Sequence, residues 1–202
     1  MKRCLHCLSY LVFSGLLLAC SRAEHVELPT SATILAFGDS LTAGVGTTAD
    51  NAYPNVLAQL SQRTVVNAGI AGETTQQGRQ RFTEVLAQHS PQLIILLEGG
   101  NDILRNQPLS ETKKNLSAMI TAAQAQKIPV LLLGVPEKNL FSTSADIYSE
   151  LADQHDVLFM EDLVSDLLRT SRYKSDTVHL NSDGYREMAE TIFEFLQDEG
   201  LL

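Results

Sequence analysis

Ile34-Leu35-Ala36-Phe37-Gly38-Asp39-Ser40-Leu41 is an apolar run that stops at the tripeptide Gly-Asp-Ser. The run predicts a buried β-strand, with the serine just beyond its carboxyl end. A serine hydroxyl is a poor nucleophile unless a base lies beside it and amide donors stabilise the attacked carbonyl. Ser40 could also simply cap the following helix. The stretch therefore predicts a serine at the edge of a sheet, whose chemistry depends on residues elsewhere in the chain.

The rest of the chain alternates short apolar runs with amphipathic segments. This β-α alternation predicts a parallel sheet with helices on both faces. The third run, Leu93–Leu97, is apolar throughout, as expected of a strand buried on both faces. Ser110 is expected to cap the third helix. Strands are predicted at 33–37, 64–67, 93–97, 130–133 and 157–160, and helices at 53–61, 75–88, 110–126, 145–155, 163–170 and 182–196.

Length and charge limit the possible classes of protein. A chain of 202 residues with 44% hydrophobic and 19% charged residues suits one globular domain. Its formal charge of −9 opposes binding to phosphate backbones, so nucleic acid is not expected as a partner. The chain contains no phosphate-binding Gly-Lys-Ser/Thr loop and no cluster of His, Cys and Asp that suggests a metal. No cofactor is therefore expected.

The N-terminal segment resembles a bacterial lipoprotein signal. Residues 1–19 combine a basic head with an apolar stretch too short to span a bilayer, and Cys20 follows Leu-Leu-Ala. The resemblance implies lipidation of Cys20, a tether over 20–32 and a catalytic domain over 33–202. Ser21, which is not aspartate, favours the outer membrane, facing the periplasm. The alternative is an ordinary cleaved signal, an incidental cysteine and a soluble periplasmic protein.

Two further loops are expected at the same edge of the sheet as Ser40, because ligands of such sheets bind beyond the carboxyl ends of the strands. After the second strand come Gly69, expected to need a positive φ, and Gly72. After the third strand, two glycines precede Asn101, whose carboxamide could donate a hydrogen bond to an oxyanion. Asn101 could instead be an ordinary turn residue.

The base is predicted in Asp176-Thr177-Val178-His179, just before the last helix. An acid three residues before a histidine can hold one ring nitrogen so that the other faces the serine. The other histidines of the mature chain lie in the tether, His25, or at helix ends, His89 and His155. A histidine at a helix end is solvated or interacts favourably with the helix dipole, so it needs no catalytic role to explain it. His179 is therefore the predicted base.

Taken together, these motifs resemble the SGNH (GDSL-type) hydrolases over nearly all of residues 33–197. Within the superfamily they look most like the bacterial periplasmic thioesterase/lysophospholipase and arylesterase branch. The resemblance to the superfamily rests on four motifs: Gly38-Asp39-Ser40-Leu41, Gly72, Gly100-Asn101-Asp102 and Asp176-x-x-His179. The resemblance to the branch rests on three more: Val66-Asn67-Ala68, Gly72-Glu73-Thr74 and Gln76-Gln77-Gly78.

The resemblance implies a flavodoxin-like three-layer α/β/α sandwich with five parallel strands in the order 2-1-3-4-5. It also implies a triad of Ser40, His179 and Asp176. The oxyanion donors would be the backbone N–H groups of Ser40 and Gly72 and the side chain of Asn101. The activity implied is hydrolysis of acyl or aryl esters, lysophospholipids or acyl thioesters through an acyl-enzyme, with no metal or cofactor.

Substrate preference is less defined. The branch often has glycine after its Asn-Asp pair, where this chain has Ile103. Together with Leu104, Leu140 and Phe141, Ile103 is expected to border the acyl site. Two alternatives stay open: a carbohydrate esterase that removes O-acetyl groups from an envelope glycan, and a non-catalytic binding lipoprotein. The absence of Trp argues against a sugar platform, and the full set of catalytic residues argues against a binding protein.

Overall fold

The computed structural model describes residues 26–138 and 143–202. Its centre is one parallel five-stranded sheet in the order β2-β1-β3-β4-β5, as predicted. β1 pairs with β2 from Thr33↔Thr64 to Gly38↔Gly69, and on its other side with β3. The strands are β1 (Thr33–Gly38), β2 (Thr64–Gly69), β3 (Leu93–Leu97), β4 (Val130–Leu133) and β5 (Leu158–Met160).

Helices cover both faces of the sheet and complete the predicted α/β/α sandwich. On one side α2 packs against α8, and on the other α5 packs against both α3 and α6. The helices are α1 (Ser40–Ala43), α2 (Tyr53–Ser61), α3 (Thr75–His89), α4 (Gly100–Leu104), α5 (Leu109–Ala125), α6 (Asp146–His155), α7 (Leu163–Arg169) and α8 (Ser182–Asp198), with 3-10 turns at Ala49–Asn51 and Ser171–Tyr173.

Burial of β1 and β3 explains why the sheet forms. All five residues of β3 are buried, and so are five of the six in β1. Each fully buried Leu, Ile or Phe side chain contributes about 1.5–3 kcal/mol relative to exposure. Phe37 also meets Phe82 of α3 edge to face, with 4.9 Å between ring centroids. The central strands therefore hold the carboxyl edge of the sheet in a fixed place.

Most element boundaries lie within two residues of the prediction, but the short helices α1 and α4 were missed. Four or five residues are too few to show a helical period. The cap assigned to Ser110 was wrong: α5 already begins at Leu109, after Pro108, and Ser110 is its second residue. Within the described part of the chain, no helix is long and apolar enough to cross a membrane.

The tether predicted over 20–32 is too long at its C-terminal end. Leu28 and Ala32 are buried against the domain. The Leu28 N–H donates to the Leu201 carbonyl at 3.0 Å, and the Arg63 guanidinium donates to the Leu28 carbonyl at 2.6 Å. A single buried leucine shows no period, so the sequence carried no signal for this contact. Cys20 and residues 1–19 lie outside the described residues.

Candidate active site

Ser40 begins α1 directly after β1. Asp39, not Ser40, caps this helix, because its Oδ1 accepts the Leu41 N–H at 3.1 Å. The Asp39 N–H in turn donates to the Leu97 carbonyl at the end of β3. The Ser40 hydroxyl is thus not needed as a cap, and its Oγ lies 3.1 Å from His179 Nε2. The reading of Ser40 as a helix cap was therefore wrong.

His179 is held by the loop that precedes α8. Its Nδ1 lies 2.7 Å from Asp176 Oδ2, while Asp176 Oδ1 accepts the backbone N–H groups of Val178 and His179 at 2.8 and 2.9 Å. The Ser175 N–H closes the turn by donating to the His179 carbonyl. One carboxylate thus fixes both the backbone and the ring of the histidine. The structure brings Ser40, His179 and Asp176 into one chain of contacts.

The hydrogen bonds also set the charge of Asp176. Partial burial acts to raise its pKa, but hydrogen bonds from the His179 side chain and from the Val178 and His179 N–H groups together lower it below the ordinary value. The side chain is 54% exposed, so water also solvates the carboxylate. Asp176 is therefore ionised at neutral pH and can stabilise a positive charge on the imidazole ring.

The predicted oxyanion donors converge on the same place. Gly72 has a φ of +80°, which favours glycine over any other residue there. Among the described residues, no group accepts a hydrogen bond from the Ser40 or Gly72 N–H. The Asn101 carboxamide donates a long hydrogen bond, 3.4 Å, to Asp39 Oδ2. All three residues line one cleft, so two backbone donors and a side-chain donor can face a bound carbonyl.

Gly69 has a different role from the one predicted. Its φ is not positive. A Cβ at this position would lie 2.1 Å from the Ala43 nitrogen of α1. Glycine is required there because β2 passes close to the backbone of the serine helix. The prediction of a positive φ was wrong, and the reason for the residue is close packing.

Two buried aspartates brace the loops around the site. Burial raises the pKa of Asp39 to about 6, although the Leu41 N–H and the charge of His179 act to lower it. Asp102 accepts the Thr75 N–H at 2.8 Å and the Thr75 hydroxyl at 2.6 Å, which ties α4 to the start of α3.

Glu98 is fully buried next to Gly99, and burial raises its pKa well above the ordinary value. Burial of Glu98 could not be predicted, since a charged residue directly after an apolar strand is expected to reach solvent.

The site opens into a cleft of about 860 Å³ whose wall is mostly apolar. Of the predicted acyl-site residues, Ile103 and Leu104 line it. Leu140 and Phe141 lie outside the described residues. The wall also contains apolar residues outside the predicted set, among them Val45, Val164 and Leu168.

The wall formed by α7 could not be predicted from the sequence, because its apolar residues have the spacing of an ordinary amphipathic helix. Among residues 26–138 and 143–202, no group of three or more His, Cys, Asp or Glu side chains could hold a metal ion.

Known proteins share this architecture. The chain is 32% identical to thioesterase 1/protease 1/lysophospholipase L1 of Escherichia coli, over 82% of this chain and 83% of that one. It is 32% identical to an arylesterase of Vibrio mimicus, over 64% and 70%. The crystal structure of AlinE4, an SGNH-hydrolase family esterase, superposes with a TM-score of 0.66 at 31% identity, over 85% of this chain and 98% of that one.

A further structure, esterase EstA from Pseudoalteromonas, shares the fold with a TM-score of 0.74, at 22% identity over 83% of this chain and 98% of that one. The sequence pattern of the GDSL-like Lipase/Acylhydrolase family matches residues 36–187, which include every residue of the site described above. The chain therefore belongs to the GDSL-like lipase/acylhydrolase (SGNH hydrolase) family and is an ester hydrolase.

Proposed function

We propose that the protein is a serine esterase that hydrolyses acyl or aryl esters, lysophospholipids or acyl thioesters through a Ser40–His179–Asp176 triad. One observation carries the proposal: the continuous path from Ser40 Oγ to His179 Nε2, 3.1 Å, and from His179 Nδ1 to Asp176 Oδ2, 2.7 Å, with Ser40 and His179 lining an apolar cleft. This is the geometry in which a neutral imidazole can accept a hydroxyl proton.

In the first step, His179 Nε2 takes the Ser40 proton as Oγ attacks the carbonyl carbon. The carbonyl oxygen becomes an oxyanion that accepts hydrogen bonds from the Ser40 and Gly72 N–H groups and from the Asn101 side chain. Asp176 holds the proton on Nδ1, so that the lone pair of Nε2 faces the serine, and stabilises the imidazolium that forms.

In the second step, the tetrahedral intermediate collapses and the bond to the leaving oxygen or sulfur breaks. His179 gives its proton to that atom, and Ser40 keeps the acyl group as an ester. Water then attacks this ester with His179 again acting as base. The acid leaves, and Ser40 recovers its proton.

The cleft supports substrates with an apolar acyl chain. Ile103, Val164 and Leu168 would contact the chain, and each buried CH₂ contributes about 0.8 kcal/mol. Its volume of about 860 Å³ is within the range of sites that enclose much of a drug-sized ligand. A medium or long acyl chain therefore gains binding energy there that an acetyl group cannot.

The proposal is tested with p-nitrophenyl esters from acetyl to palmitoyl, measured for wild type, Ser40→Ala and the control Ser149→Ala. Within the described residues, the Ser149 hydroxyl donates only to a carbonyl of its own helix, that of Asp146 in α6. We expect activity that persists or rises into medium chains and is lost in Ser40→Ala alone.

Retention of more than a few per cent of activity in Ser40→Ala would contradict the mechanism. Activity confined to acetyl esters would instead favour an O-acetyl esterase acting on an envelope glycan. Absence of serine-dependent activity on every ester would leave a binding lipoprotein.

For its cellular location, we propose that the chain is exported and anchored through a lipid on Cys20 in the bacterial outer membrane, facing the periplasm. The support is the signal-like sequence of residues 1–19 followed by Leu-Leu-Ala-Cys. Incorporation of labelled palmitate by the wild-type protein and not by Cys20→Ala would support the anchor. Labelling of neither protein would favour the soluble periplasmic alternative, and equal labelling of both would show that Cys20 is not the residue that carries the lipid.

A further inference from the structure

An ion pair between a buried carboxylate and a largely buried guanidinium lies next to the segment that carries Gly72. Arg81 of α3 donates from Nε to Glu73 Oε1 at 2.7 Å and from Nη2 to Glu73 Oε2. The Glu73 side chain is 5% exposed and that of Arg81 20%. Since an exposed fraction this small removes most solvation, the two charges depend on each other. The pair is therefore part of the internal structure and is not an ordinary surface salt bridge.

The same guanidinium also holds the ends of two strands. It donates to the Ala68 carbonyl in β2 at 2.8 Å and approaches the Gly38 carbonyl at the end of β1 at 3.5 Å. Its Cζ lies 3.9 Å from the centroid of the Phe37 ring. Arginine suits this place because its planar fork can bind a carboxylate and carbonyls at once while stacking on a ring. A lysine has one charged nitrogen and cannot make all these contacts.

Each of these partners is a near neighbour of a proposed catalytic group. Gly38 is two residues before Ser40, and Glu73 directly follows Gly72. Ala68 lies at the end of β2, where the chain turns towards Gly72, and the Glu73 N–H closes that turn on the Ile70 carbonyl at 3.2 Å. Arg81 itself does not line the cleft. It can therefore affect the reaction only through the position of the segments that it joins.

We propose that Arg81 is a positioning residue that holds the Gly72 N–H at the place where the oxyanion forms, through its pair with Glu73 and its hydrogen bonds to the strand ends. The inference rests on the proposed function, because it assigns the support of one oxyanion donor. Displacing a donor weakens binding of the tetrahedral intermediate more than binding of the planar ester. The expected signature is a loss of kcat without a matching rise in KM.

The test compares Arg81→Lys with Arg79→Lys, an exposed arginine two residues earlier in the same helix. The readouts are kcat and KM for p-nitrophenyl butyrate, the Ki of an alkyl trifluoromethyl ketone, and thermal melting. The ketone adds Ser40 Oγ to its carbonyl carbon, His179 takes the serine proton, and the ketone oxygen becomes the oxyanion. Its Ki therefore reports directly on the oxyanion donors.

For Arg81→Lys we expect kcat to fall roughly 10- to 100-fold, KM to stay within about twofold, and Ki to rise in parallel with the loss of kcat. Arg79→Lys should match wild type. Glu73→Gln, which keeps an acceptor for Arg81 Nε, should lose kcat in the same way but less. It also serves as the deciding variant if Arg81→Lys shows no cooperative melting.

Three outcomes would overturn the proposal. An unchanged kcat in folded Arg81→Lys would overturn the positioning role of Arg81 and leave the proposed function standing. If Arg81→Lys does not fold, an unchanged kcat in Glu73→Gln would do the same. A rise in KM at constant kcat and constant Ki does the same, because it indicates a general distortion of the cleft. Wild-type protein that hydrolyses no ester overturns the proposed function, and the role of Arg81 with it.

Discussion

The loops of Asp39 and Asp176 each place a carboxylate close to a proposed catalytic group, but in different surroundings. Asp39 is 4% exposed, directly precedes Ser40 and has a pKa raised to about 6 by burial. Asp176 is 54% exposed and has a lowered pKa, since the hydrogen bonds that it accepts outweigh its partial burial. The acid suited to stabilise an imidazolium is therefore the solvated one. The buried acid is suited to hold backbone and amide groups in place.

The largest expected effect on kcat comes from making the same change, aspartate to asparagine, in each of the two loops. In Asp176→Asn the amide cannot fix the Nδ1–H tautomer of His179, so kcat should fall about 10³- to 10⁴-fold. In Asp39→Asn an amide oxygen can still accept the Leu41 N–H, and we expect a loss of about tenfold. Steady-state kinetics on one p-nitrophenyl ester measures both, with Asp153→Asn, at an exposed position of α6, as the control. A larger loss in Asp39→Asn than in Asp176→Asn would reverse the comparison.

The next effect tests what the buried loop contributes to the reaction. Asp39 Oδ2 accepts a hydrogen bond from Asn101, whose carboxamide is a proposed oxyanion donor. Asn101→Ala should lower kcat roughly 10²- to 10³-fold with little change in KM, because the donor acts on the tetrahedral intermediate. Thermal melting should show a folded protein, since alanine is well tolerated in a helix such as α4. A rise in KM alone would remove Asn101 from the set of donors.

The smallest effect concerns stability and pH. Because burial raises the pKa of Asp39 from an ordinary value of 3.8 to about 6 in the folded protein, the folded state binds the proton more tightly. The stabilisation from this proton is complete below pH 3.8 and is lost as the pH rises through 6. Relative to Asp39→Asn, wild type should therefore lose about 2 kcal/mol of unfolding free energy between pH 4.5 and 7.5.

Urea unfolding of both proteins at the two pH values measures this difference. The comparison cancels the other titrating groups, which the two proteins share. A difference that stays constant with pH, or that grows in favour of wild type at pH 7.5, would show that Asp39 is ionised as readily when folded as when unfolded. Asp39 would then resemble Asp176, and the contrast between the loops would disappear.

Much of this architecture could be predicted because its signals are local. The apolar run Leu93–Leu97 and the spaced apolar positions of the last helix indicate their structures within a few residues. The strand order 2-1-3-4-5 was predicted from the family resemblance, since hydrophobic period alone does not fix which strands are neighbours. The five residues of the proposed triad and oxyanion hole could be predicted because each follows a strand or precedes a helix.

The features that could not be predicted depend on contacts between distant or unpatterned residues. Asp39 as the cap of α1 needs the helix itself to be known, and α1 has only four residues. Arg81 joins Glu73, Ala68 and Gly38 across three elements, and nothing in its own helix marks it apart from the exposed Arg79. The contribution of α7 to the cleft wall could not be predicted either, because Val164 and Leu168 look like ordinary apolar residues of an amphipathic helix.

The anchoring of Leu28 has a practical consequence for the orientation of the domain on a support. Leu28 is joined to Leu201 and Arg63, beyond the C-terminal end of α8 and just before β2, whereas Ser40 lies after β1 at the opposite edge of the sheet. A bead, sensor chip or fusion partner linked upstream of Val26 therefore attaches at the end of the domain away from the cleft. Immobilised in this way, the domain presents its cleft to the solution.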